Sequence, residues 1–139
     1  MSEETKKAPA KAKPKAKKRK VKRSVPYGQL HVLATFNNTL VTFTDRSGGV
    51  LVSSSAGACG FRGSKKSTAY AAQIAADKAA ESVKQLHGMS KVDVYVKGIG
   101  LGREAVIRSM PNHDIHVETI TDVTGVAHGG CRPRKARRV

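Results

Sequence analysis

The sequence has no tryptophan and only three tyrosines and three phenylalanines among 139 residues, too few rings for a recogniser built on many stacked bases. Two cysteines, Cys59 and Cys131, cannot make a disulfide framework, which agrees with a reducing compartment. No apolar run approaches the length of a membrane span, and the basic start of the chain has no apolar stretch behind it, so no secretory signal is expected and the protein is expected in the cytoplasm. Negative charge is scarce as well: 10 Asp+Glu face 26 Lys+Arg, a net charge of +16. The length suits one domain, and a hydrophobic share of 39% supports a modest core.

The position of the charge says more than its amount. Residues 1–23 carry 11 Lys/Arg and two Glu, residues 24–131 carry 10 and eight, and residues 132–139 carry five and none. The first segment has almost nothing to bury, so it reads as a disordered arm, and the second arm, residues 123–139, reads as extended and basic. A near-neutral body with two cationic arms suits a polyanion, because each neutralised phosphate releases counterions. The arms have no Leu, Ile, Phe or Trp to insert, which argues against a membrane surface.

Residues 24–122 read as one α/β domain. Gln29 to Asn37 alternates with Leu30, Val32, Ala34 and Phe36 on one face, and Leu40 to Thr44 and Val50 to Ser54 complete an antiparallel meander. Asn37-Asn38 reads as a tight turn exploiting the tolerance of Asn for positive φ. Residues 55–64 read as a flexible loop. A helix runs from an N-cap at Ser64 or Ser67 to Gly88, with Ala72, Ala75, Ala76, Ala79, Val83 and Leu86 on its dry face and Gln73, Asp77, Glu81, Lys84 and Gln85 on its wet one, the two acids in solvated pairs with lysines. Then come a strand at Val92 to Val96, a glycine turn, a short helix from Arg103 to Met110 stopped by Pro111, and a strand at Ile115 to Ile120. The order βββαβαβ implies one five-stranded mixed sheet, with helices returning the chain between parallel strands.

Two motifs could carry chemistry. In G-F-R-G-S-K-K-S-T, Gly60 to Thr68, Arg62, Lys65 and Lys66 precede a helix, where free backbone N–H groups favour an anion. A nucleotide-binding P-loop is excluded: Gly63 is followed by Ser64, and Lys66-Ser67 has no glycine before it. In K-G-I-G-L-G-R, Lys97 to Arg103, the last glycine of a dinucleotide fingerprint is replaced by Arg103, leaving a tight turn or a second phosphate contact. His128 and Cys131 could offer zinc ligands, yet Cys59 and His113 or His116 would have to complete the set from unrelated spacings, so no metal and no cofactor are expected. The first strand has no carboxylate, so a two-metal nuclease is not expected either, and the chain is read as a non-enzyme. K-K-R-K-V-K-R, Lys17 to Arg23, looks like a nuclear import signal and makes a DNA-binding protein the rival reading.

In order, G-F-R-G-S-K-K-S-T, V-K-G-I-G-L-G-R-E and D-V-T-G-V-A-H-G-G-C-R-P-R-K-A-R-R-V resemble the S-eleven family of small-subunit ribosomal proteins in its bacterial form, over Tyr27 to Val139. The resemblance implies a ribonuclease-H-like fold without its nuclease site. It also implies a place on the platform of the small ribosomal subunit, near the messenger RNA exit and the Shine-Dalgarno region, where the family supports assembly. Implied partners are small-subunit ribosomal RNA and the proteins S-eighteen, S-twenty-one and S-seven. The RNA contacts it implies are Asn37, Asn38 and Thr39; Arg62, Gly63, Ser64, Lys65, Lys66, Ser67 and Thr68; Gly102 and Arg103; and His128, Gly129, Gly130, Cys131, Arg132, Arg134, Lys135, Arg137 and Arg138. The family often has H-N-G-C-R-P-P-K, where this chain has Gly129 for Asn and Arg134 for the second Pro. Position 129 therefore cannot form the isoaspartate found in some relatives.

Overall fold

The computed structural model describes residues 23–138; the expectation for the lysine-rich segment before Arg23 falls outside them. A five-stranded sheet is built from β1 (Tyr27–Ala34), β2 (Thr39–Thr44), β3 (Val50–Ser55), β4 (Lys91–Lys97) and β5 (His116–Asp122), with α1 (Ala69–His87) between β3 and β4 and α2 (Gly102–Ser109) between β4 and β5. The strands lie in the order β3-β2-β1-β4-β5. β1, β2 and β3 pair antiparallel, while β4 runs parallel to β1 and β5 parallel to β4, as the alternation of strands and helices requires.

The pleat sends alternate side chains to opposite faces, and one row is apolar throughout. Leu30 lies opposite Phe43 on one side and Val94 on the other, and Val32 opposite Val41 and Val96. All are buried, under a helix face made of Ala72, Ala75, Ala76, Ala79 and Val83. With alanine at nearly every contact α1 can lie close on the sheet, so the larger strand side chains fill the core, each contributing about 1.5–3 kcal/mol when fully buried.

Several boundaries differ from the sequence reading. β1 ends at Ala34, so Phe36 falls beyond the sheet and is 60% exposed rather than in the core. Residues 57–59 and 63–67 form 3₁₀ turns in place of a flexible loop. The N-cap of α1 is Thr68, whose hydroxyl accepts from the Ala71 N–H at 3.3 Å, rather than Ser64 or Ser67; Gly88 ends the helix as expected, its N–H bonded to the Lys84 carbonyl. At that end His87, not Leu86, is the buried residue: its carbonyl accepts from the Val25 N–H and its Nδ1 lies 2.9 Å from the Arg23 carbonyl, tying the start of the domain to the helix. α2 ends at Ser109, one residue before the expected Met110, and Pro111 sits in the first turn of a following 3₁₀ segment, Met110–His113, where its missing N–H costs nothing. Asp77 meets no lysine; its Oδ1 lies 3.0 Å from His113 Nε2.

A register shift between Val92 and Asp93 adds a residue to β5. Because side-chain direction alternates, the extra residue turns every later side chain over. Asp122 consequently comes opposite Val96, on the helix side of the sheet.

Candidate nucleic-acid interface

Four segments meet where the parallel strands end. The β1–β2 tip, residues 35–38, joins two paired strands there, and the β3–α1 connection starts beside it with Ala56 N–H on the Thr39 carbonyl at 3.2 Å. The β4–α2 turn lies on the same end, with Gly100 N–H donating to the Ala34 carbonyl at 3.0 Å. The chain leaves β5 next to it: Val123 N–H reaches the Val96 carbonyl at 2.9 Å, and Gly98 N–H the Thr124 hydroxyl at 3.1 Å. Ligands of open α/β sheets commonly bind outside the carboxyl ends of parallel strands.

The tip is held by a side chain and not by positive φ. Thr35 Oγ1 accepts from Asn38 N–H at 3.1 Å and from Asn37 N–H at 3.4 Å, and Asn38 Oδ1 accepts from Thr39 N–H at 2.9 Å. Asp114 is the one non-glycine residue with positive φ among those described, so the expected Asn conformation is absent. Asn37 and Asn38 remain accessible, but Thr39 turns inward. Its side chain is buried and its hydroxyl has no hydrogen-bond partner. Gly102 covers it; a Cβ at position 102 would stand 2.3 Å from Thr39 Oγ1 and 2.7 Å from Ala72 Cβ. These two positions, expected as contacts, bring α2 down onto the sheet and offer no side chain to a ligand.

The basic loop is ordered by its own hydrogen bonds. Arg62 Nη1 donates to the Gly57 carbonyl at 2.9 Å, Ser67 Oγ to the Ser64 carbonyl at 2.9 Å, and Thr68 Oγ1 to the Lys65 carbonyl at 2.8 Å. Gly63 begins this turn. Arg62 and Lys65 are exposed and Lys66 half-buried, immediately before the N-terminus of α1.

Arg103 faces the protein. It donates from Nη1 to the Gly98 carbonyl at 2.7 Å and from Nη2 to Asp122, whose other oxygen accepts from the Thr124 hydroxyl at 2.6 Å. The Thr124 hydroxyl, then Arg103, hold the Asp122 carboxyl far below the usual carboxylate range. Instead of presenting a free cation, Arg103 clasps the β4–α2 turn to the start of the arm.

From Val123 to Arg138 the chain forms no helix or strand, and His128, Gly129, Gly130, Cys131, Arg132, Arg134, Lys135, Arg137 and Arg138 are all exposed. The arm returns to the tip, where Arg137 Nη2 donates to Asn37 Oδ1 at 3.2 Å. No three His, Cys, Asp or Glu side chains gather as a metal site among the described residues.

The carboxylates complete the pattern. Each of the eight in residues 23–138 has a partner: Asp45 with Arg23, Asp77 with His113, Glu81 with Gln85, Asp93 with Tyr27 and Thr119, Glu104 with Arg108, Asp114 with Lys84, Glu118 with Lys91, and Asp122 with Arg103. Among the described residues, the cations left without a carboxylate are Arg46, which lies over the Tyr27 ring, Lys78, which reaches the Ala58 carbonyl, and the set Arg62, Lys65, Lys66, Lys97, Arg132, Arg134, Lys135, Arg137 and Arg138. That last set belongs to the converging segments and the arm, so the surplus positive charge has a direction.

A comparison with known protein families matches residues 28–138 to ribosomal protein S11. The chain belongs to that family. Members of the ribosomal protein S11 family are structural components of the small ribosomal subunit that bind its RNA beside neighbouring proteins. No described helix is long and apolar enough to cross a membrane. Against this family background, two residues at the converging end were not singled out by the sequence. Lys97 ends β4 exposed, and Phe36 stands exposed in the tip. The alternation of β1 assigned Phe36 to the core; only the Thr35 turn shows that the strand has already ended.

Proposed function

We propose that the end of the sheet where the parallel strands finish binds ribosomal RNA of the small-subunit platform, near the messenger exit and the Shine-Dalgarno region, and supports its assembly there. The carrying observation is the separation of charge: among the described residues the carboxylates are all engaged, while the unpaired cations of the β3–α1 loop and the arm share one end with the Asn37-Asn38 tip. Side chains of Arg62, Ser64, Lys65, Lys66, Ser67 and Thr68, with those of Asn37, Asn38, His128, Cys131, Arg132, Arg134, Lys135, Arg137 and Arg138 and the backbone of Gly129 and Gly130, face the phosphates. Thr39, Gly102 and Arg103 hold the surface in shape from beneath. Proteins of the S-eighteen, S-twenty-one and S-seven kinds are the neighbours in this reading, and the protein performs no catalysis. The test is sedimentation of cell lysate in a salt-washed sucrose gradient. Migration with small subunits, abolished by ribonuclease and unaffected by deoxyribonuclease, supports it; loss on deoxyribonuclease treatment favours the DNA-binding alternative.

A further inference from the structure

A cleft of about 330 Å³ opens between the start of α1 and α2, lined by Ala69, Tyr70, Gln73, Ala105, Arg108 and Ser109. Tyr70 stands 65% exposed there, and its ring meets that of Phe61 edge to face, with centroids 6.0 Å apart and planes inclined by 84°. Phe61 immediately precedes Arg62, and Tyr70 follows Thr68 by two positions. The two rings therefore bracket the basic loop and join the cleft to the surface that faces RNA in the reading above. Other rings have different work: Phe43 is in the core, Tyr27 lies under Arg46, and Tyr95 stacks on His31.

The lining is polar, but its one cation is already met by an acid. Arg108 Nη2 donates to Glu104, one turn back on α2, at 3.0 Å. Ser109 Oγ is spent on the Val106 carbonyl at 2.9 Å. A phosphate therefore gains less here than at Arg62 or Lys65, whose charges have no carboxylate. What the cleft offers is an exposed ring, the methyl groups of Ala69 and Ala105, and the Gln73 amide, which carries donors and an acceptor side by side. Those groups suit a neutral planar ring with a hydrogen-bonding edge. The volume lies at the lower end of small-ligand pockets, about 300–1,000 Å³, so it holds one ring system and neither a duplex nor a length of peptide. RNA presents such a ring wherever a base is unpaired, and proteins hold unpaired bases by stacking them on aromatic side chains.

We propose that this cleft seats a single unstacked nucleobase of the small-subunit RNA, its face on the Tyr70 ring and its edge hydrogen-bonded to the Gln73 amide. The inference rests on the RNA-binding role proposed above. To the phosphate contacts of the basic loop it adds one contact to a base, which selects non-helical RNA at that point. A single seat of this kind agrees with a chain that has only three tyrosines and three phenylalanines.

The test is titration of the full chain onto small subunits that lack it, at several salt concentrations. Tyr70→Ala is expected to weaken binding about tenfold, within the range for one stacked base, and to keep the salt slope of the parent because no phosphate contact is lost. Tyr70→Phe retains the ring and is expected to bind like the parent. A photo-crosslinking phenylalanine analogue at position 70 is expected to give an adduct to one nucleotide in the bound chain. Parent-like binding by Tyr70→Ala, a loss with a shallower salt slope, an equal loss in Tyr70→Phe, or a crosslink to protein or to nothing each overturns the proposal and leaves the phosphate contacts of the loop and arm standing. Failure of the parent chain to bind these subunits overturns the RNA reading, and this proposal with it.

Discussion

Arg137 donates to Asn37, 100 positions earlier in the chain, Nη2 to Oδ1 at 3.2 Å, so the basic arm lies against the β1–β2 tip. Both groups are exposed, and a single surface hydrogen bond contributes on the order of 1 kcal/mol or less. The pair therefore orients the arm without locking it. In the proposed complex an RNA phosphate takes the place of Asn37 as the acceptor for the guanidinium.

Truncation after Cys131 is accordingly expected to leave the melting temperature of the isolated domain unchanged, because residues 132–138 are exposed and outside the core, while stable retention on small subunits is lost. Replacing Arg132, Arg134, Arg137 and Arg138 with lysine at constant charge is expected to restore retention only in part, since lysine lacks the planar fork. Full restoration would show that the arm acts through charge alone. Circular dichroism melting and gradient sedimentation read the two halves of this expectation.

Gly102→Ala places a methyl group 2.3 Å from Thr39 Oγ1 and 2.7 Å from Ala72 Cβ. Overpacking of this kind costs about 1–3 kcal/mol, and chemical denaturation of the variant is expected to show a loss in that range. Gly125→Ala, where nothing lies within 4 Å of the added carbon, is the control and is expected to melt like the parent.

Acid should loosen the clasp at Arg103. The Asp122 carboxyl is held below its ordinary value by the Thr124 hydroxyl and Arg103, so its contribution is complete above the unfolded carboxylate range and is lost as pH falls through the lower, folded value. Asp122→Asn is therefore expected to melt below the parent at pH 7, with the difference shrinking below about pH 4. Asp45, held low chiefly by the Ser47 hydroxyl, Asp93, held low chiefly by the Tyr27 hydroxyl, and Asp114, held low chiefly by Lys84, stay intact in the variant and keep the remaining acid sensitivity. A constant difference across the acid range would show that the Asp122 charge does not stabilise the fold.

Changing Arg62, Lys65 and Lys66 together to alanine removes three cations from an ordered loop. Against platform RNA this is expected to reduce the slope of log K against log salt by about 2 to 3, and to weaken binding more than the loss of three lysines from residues 1–22, because the loop is already ordered by its own hydrogen bonds. Filter binding at several salt concentrations measures both quantities. Equal effects from the two triple variants would deny the loop a specific role.

The strands of the core were legible because Leu30, Val32, Val92, Val94 and Val96 recur at every second position among mostly polar neighbours, and α1 because its alanines recur with helical spacing. What could not be read depended on contacts between distant segments. The inward turn of Thr39 needs Gly102 above it, and Arg103 looks like a free cation until the added residue in β5 brings Asp122 to its side of the sheet. The end of β1 was missed for a local reason: the alternation continues to Phe36, while the Thr35 hydroxyl captures the two following N–H groups and closes the turn early. The basic loop and arm were legible as charge. Their convergence with the Asn37 tip required the sheet order.

The central claim, that RNA meets the sheet at the converging end, is tested most directly by ultraviolet crosslinking of small subunits followed by mass spectrometry of peptide–nucleotide adducts. The expected result is adducts in residues 35–38, 61–68 and 127–138, with few at Lys84 and Lys91, whose charges are paired with Asp114 and Glu118 at the opposite end. Adducts at Lys84 and Lys91 with none in those three segments would contradict the account.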